Sequence, residues 1–99
     1  NIDEGPYDDV TSDNKSMFIT FSRGFLVSRD EVIKLFTFAY GNCVEDLYMG
    51  NPNVHNQSLF AMLILKTLGI IDQILNGKRV AKLRINGKHL WVRKYKHCD

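Results

Sequence analysis

Thiols and long apolar stretches are scarce in this chain, and each shortage removes a class of protein. Two cysteines, Cys43 and Cys98, stand among 99 residues. With no CxxC pair and no further thiol they assemble neither a disulfide framework nor a zinc site of familiar spacing. They read as free thiols of a reducing compartment. No apolar run approaches the roughly 18 residues of a membrane span. The N-terminal segment lacks the basic start and apolar stretch of a secretory signal. A nuclear or cytoplasmic location is the expectation. Catalytic groupings are missing too. His55, His89 and His97 are scattered, Asp72 is isolated, and Glu45 and Asp46, as neighbours on a strand, point to opposite faces. The expectation is a protein that is not an enzyme, with no cofactor and no metal.

What is present is one domain's worth of apolar side chain, 44% of the residues, enough for a single core and too little for two. Charge is unevenly spread. Residues 1–14 hold five acids (Asp3, Glu4, Asp8, Asp9, Asp13) and no base, which leaves 13 Lys and Arg against 6 acids in the rest. Eight of those bases fall in the last 22 residues, opposed only by Asp99. A polyanion or an acidic partner fits that end of the chain. Residues 1–15 have few side chains to bury and read as an acidic flexible tail, residues 16–96 as the domain, and 97–99 as a short C-terminal tail. The acidic tail lying over the basic or aromatic surface and competing with a ligand is a further possibility.

The elements follow from periodicity and punctuation. Met17 opens a strand with Met17, Ile19 and Phe21 on one face and Phe18 and Thr20 on the other. Ser28 and Glu31 form a capping box, with Val27 and Val32 placed to staple across it, so a helix starts at Arg29 and Gly41 stops it. Within this helix Val32, Phe36, Ala39 and Tyr40, with Ile33 beside them, are expected as a buried stripe. Asn42 to Met49 reads as a second strand with Val44, Leu47 and Met49 as its apolar positions. Gly50 to Gln57 is a loop. Ser58 to Lys66 is an almost continuously apolar strand, suited to a central place in a sheet. A second helix runs over Gly69 to Leu75 and stops at Asn76-Gly77. A hairpin closes the chain, from Val80 to Ile85 through an Asn86-Gly87 turn to Lys88 and Tyr95. Cys43, just past the helix stop, reads as a small buried hydrophobe.

This order predicts an α+β, ferredoxin-like βαββαβ sandwich: a four-stranded antiparallel sheet with two helices on one face. From Ser16 to about Tyr95 the chain resembles the RNA recognition motif. Met17-Phe18-Ile19-Thr20-Phe21-Ser22 is similar to that family's first-strand hexamer, with Phe18 as its aromatic. Ser58-Leu59-Phe60-Ala61-Met62-Leu63-Ile64-Leu65 is similar to its third-strand octamer, with Phe60 at the aromatic third place. Ile85-Asn86-Gly87-Lys88-His89-Leu90-Trp91-Val92 is similar to its closing stretch. The octamer departs from the family at Ser58 and Leu59, where a basic residue and glycine are usual, and at Met62, where a stacking aromatic is usual. In overall flavour the chain is similar to plant proteins of this kind.

The resemblance implies single-stranded RNA binding on the sheet. Alternation sends Met17, Ile19, Ala61, Leu63, Leu65, Leu90 and Val92 toward the helices, and Phe18, Thr20, Phe60, Met62, Ile64, Trp91 and Arg93 to the open face, joined by Tyr48. Phe18, Phe60, Trp91 and Tyr48 would stack on bases, with Thr20 and the softer Met62 beside them, while Arg93, Lys94 and Lys96 take phosphates. A protein partner or a homodimer on the same apolar patch or on the helix face is the alternative. The basic hairpin has a plainer reading as a solvated edge that discourages strand pairing.

Overall fold

The chain has the element order β1 Ser16–Phe21, α1 Arg29–Tyr40, β2 Val44–Met49, β3 Phe60–Leu65, α2 Leu68–Leu75, β4 Val80–Ile85 and β5 Lys88–Lys94. A computed structural model describes residues 15–23, 26–51 and 58–95. The acidic tail over 1–14, Lys96, Cys98, His55 and His97 lie outside the described residues.

Local chemistry sets the boundaries. Ser28 caps α1: its hydroxyl accepts from the Glu31 N–H at 3.1 Å, and the Glu31 carboxylate accepts from the Ser28 N–H at 2.9 Å. Such a cap is worth about 1 kcal/mol. Val27 and Val32 are both buried at this start, as the staple requires. Gly41 ends the helix at φ 83°, and its N–H donates to the Thr37 carbonyl. The stripe is narrower than its sequence suggests. Val32 and Phe36 are buried and Ile33 and Tyr40 are half-buried, but Ala39 is exposed. Helical angle alone would place Ala39 beside Val32, yet it is exposed in the last turn of α1, where Phe38 is 92% exposed.

All strand pairs are antiparallel, in the order β2-β3-β1-β5-β4. The sheet therefore has five strands where four were expected. The difference lies in the first arm of the closing hairpin. Asn86 and Gly87 both adopt left-handed backbone, φ 50° and 79°, the geometry of a two-residue primed turn whose twist suits the strands on either side. β4 then pairs with β5 residue for residue from Val80↔Arg93 to Ile85↔Lys88. Ala81 and Ile85 are buried and Leu83 packs on the core, so this arm brings its own apolar alternation and joins the sheet.

In β2 the register shifts between Val44 and Asp46. The extra residue of the bulge, Glu45, lets Val44 and Leu47, three apart in sequence, both pack inward. The core is one cluster. Met17, Ile19, Leu63, Leu65, Leu90 and Val92 meet Val32 and Phe36 of α1 and Ile71, Ile74 and Leu75 of α2. All the strand residues expected to face the helices are buried. Full burial of a side chain such as Phe36 stabilises by about 1.5–3 kcal/mol. Cys43 is buried as expected; its thiol lies 3.7 Å from the Phe36 carbonyl and burial pushes its pKa up. No helix among the described residues is long and apolar enough to cross a membrane.

Candidate functional site

The face of the sheet turned away from the core is laid out by register. One row across the strands reads Tyr48, Met62, Phe18, Arg93, Val80. The next reads Phe60, Thr20, Trp91, Lys82, and a third pairs His89 with Arg84. Thus Phe18, Thr20, Tyr48, Phe60, Met62, Trp91 and Arg93 share one surface.

Their rings are ordered. Phe18 and Phe60 lie with centroids 5.7 Å apart and planes 18° from parallel. The Arg93 guanidinium sits over the Phe18 ring, 4.8 Å from its centroid, a contact in which the cation meets the negative face of the ring. Thr20 stands between Phe60 and Trp91 in the register, leaving a low polar gap between two aromatic groups. Trp91 meets His89 edge to face at 6.3 Å. Phe60 and Tyr48 are the most open of the aromatic members, 44% and 58% exposed, and the face is therefore accessible.

Phe60 is held from below by a glycine. Its ring lies so close to Gly50 that a Cβ there would stand 2.6 Å from the ring carbons. Backbone pairing places the two together: the Gly50 N–H donates to the Phe60 carbonyl at 2.8 Å, and the Ser58 hydroxyl donates to the Gly50 carbonyl at 2.6 Å. Gly50, read in sequence only as the start of a loop, is thus the seat of a site residue.

The two edges of the face differ in charge. On the β2 edge, Asp46 pairs with Arg29 at 3.4 Å. Hydrogen bonding to Tyr48, and then to the Leu47 N–H, holds the Asp46 carboxyl below its usual range, and the same bond to Asp46 raises the Tyr48 phenol. Arg29 also donates from Nε to the Leu47 carbonyl at 3.2 Å, anchoring the start of α1 to this strand. The β4 edge is basic, with Lys82 and Arg84 exposed on the open face.

One expected position changes. Lys94 does not join Arg93: it pairs with the inward-facing Met17, so it points to the helix side of the sheet, because consecutive strand residues alternate. There, with Lys78, Arg79, Arg93 and Asp72, it lines an open cleft of about 760 Å³ between the end of α2 and the start of β4. Ile64 does point to the open side, paired with Ser16 and Asp46, but is only 7% exposed. The sequence reading missed Lys82, Arg84 and His89 as members of this face. The signal was present, since Ala81 and Ile85 alternate with Lys82 and Arg84 as apolar neighbours, and Leu90 and Val92 mark the facing of His89.

Among the described residues no group of His, Cys, Asp and Glu could hold a metal ion. No protein-family model matches the chain, and no curated protein matches it.

Proposed function

We propose that this domain binds single-stranded RNA on the open face of the sheet, with Phe18, Phe60 and Trp91 as stacking platforms, Tyr48, Met62 and Thr20 beside them, and Arg93 against the phosphates. The observation that carries the reading is the nearly parallel Phe18 and Phe60 pair with Arg93 over it, on an accessible face. Unpaired bases offer π-faces to such rings, and each stack is worth about 1–3 kcal/mol by alanine substitution. The element order supports it as well. Without β4, the remaining β1, α1, β2, β3, α2 and β5 follow the ferredoxin-like βαββαβ path of the RNA recognition motif.

The test is an NMR titration of the labelled domain with a pool of short random single-stranded RNAs at two salt concentrations, repeated on Phe60→Ala. The expected result is shifts clustered on β1, β3 and β5, weaker at higher salt and reduced by the substitution, which removes one stack. An unperturbed spectrum from folded protein overturns the proposal.

A second reading, a protein-interaction or self-association module, is favoured by Phe38, which stands 92% exposed on α1. Salt separates the two, because phosphate contacts weaken steeply with ionic strength and an apolar interface does not.

A further inference from the structure

The fifth strand adds a column of charge next to the aromatic rows. On β4 the buried Ala81 and Ile85 alternate with Lys82 and Arg84, which face the open side beside Trp91 and His89. Arg84 has a neighbour across the hairpin: its Nη2 lies 3.2 Å from His89 Nε2. Beyond the start of β4, on the helix side of this edge strand, the cleft adds Lys78, Arg79 and Lys94, with Arg93, against a single acid, Asp72. No carboxylate among the described residues forms an ion pair with Lys78, Arg79, Lys82, Arg84 or Arg93. The carboxylates of Glu45 and Asp46 are on β2, at the far edge of the sheet.

Resting on the RNA-binding reading, we infer that β4 is the phosphate-binding half of the site. The bases lie over Phe18, Phe60 and Trp91, and the sugar-phosphate backbone runs along Lys82 and Arg84 and passes round the β4 edge into the cleft at Lys78 and Arg79. The geometry suits a flexible polyanion: Lys82 and Arg84 share the open face of the edge strand, and Lys78 and Arg79 precede it at the cleft just round that edge. A solvated edge that merely discourages pairing needs lysines on the edge but gives them no ligand.

The two halves leave different signatures. Stacking sets the affinity at any salt, whereas each phosphate neutralised on a single strand contributes about 0.7 to the slope of log K against log salt. The experiment measures binding of a short single-stranded RNA across a salt series for five proteins: the parent, Phe60→Ala, the pair Lys82→Gln with Arg84→Gln, the pair Lys78→Gln with Arg79→Gln, and a control pair, Lys34→Gln with Lys66→Gln, which removes equal charge from α1 and the end of β3. Each β4 or cleft pair is expected to make the slope shallower by about 1.4, two contacts' worth. Phe60→Ala is expected to lower affinity at every salt with the slope unchanged, and the control pair to leave the slope near that of the parent. Binding that depends on Phe60 but keeps its slope in both pairs overturns this inference and leaves the RNA reading standing. Equal slope changes in all three pairs overturn it in favour of net charge. Absence of binding by the parent overturns both.

Discussion

Gly50 shows how a single missing methyl group arranges the face. The Phe60 ring occupies the space where a Cβ would be, 2.6 Å from its carbons, and from there it lies alongside Phe18. Real carbon atoms do not approach so closely, so in Gly50→Ala the ring has to move. Phe60 is partly exposed, and the backbone pairing of Gly50 with Phe60 survives the change, so the fold is retained while the ring pair is lost. The expected outcome is that Gly50→Ala removes the ring-current shifts of the Phe18 ring protons, as Phe60→Ala does, and weakens the proposed RNA binding with it. Phe18 resonances identical to the parent's would refute this account of the glycine. Residue-scale orientations were legible where one strand's alternation decides them, as for Phe18, Phe60 and Trp91. They were misread where sequence neighbours were grouped by charge, as with Arg93 and Lys94, whose directions are opposite.

Elements are joined by a junction that the first helix makes with the closing hairpin. Glu31, having closed its capping box, also accepts from the Asn86 side-chain amide at 2.9 Å, with the Lys88 ammonium at 3.5 Å. Lys88 in turn donates to the Leu26 carbonyl. The Ser28 N–H foremost, then Asn86 and Lys88, holds the Glu31 carboxyl below its ordinary value. A carboxyl whose folded pKa lies below its unfolded value of about 4.3 stabilises the fold at pH above that value, and the contribution fades as pH falls through the folded pKa. Glu31→Gln keeps the capping geometry but removes the charge. The melting temperature of the variant is therefore expected to fall below the parent's near neutral pH and to converge on it in acid. A gap of equal size at both ends of a thermal-melt series would exclude the charge as the cause. Partial exposure of the pair, 25% and 26% for the two side chains, limits the effect through solvent screening.

Over the whole molecule, strand order decides which parts open first. β1, β3 and β5 each have a neighbour on both sides, while β2 and β4 form the edges. Backbone amides in the middle open only when the core does, whereas edge strands detach by losing one neighbour. Hydrogen exchange is expected to be slowest in β1 and β3 and faster in β2 and β4. Exchange of β4 as slow as that of β1 would mean that the fifth strand and the core open as a single unit. The same order gives the open face its polarity, with Asp46 at one edge and Lys82 and Arg84 at the other.

Short-range patterns along the chain specify the element list, the caps, the Asn86-Gly87 turn and the facing of most strand residues. These depend on contacts between residues two to four apart and on the backbone angles that glycine and asparagine allow. The tertiary structure alone decided that β4 extends the sheet, that Phe60 rests on Gly50, that Arg29 reaches Asp46 across 17 positions and that Glu31 meets Asn86 across 55. Such contacts form only when distant segments pack on a shared core, and local periodicity carries no record of which segments those are.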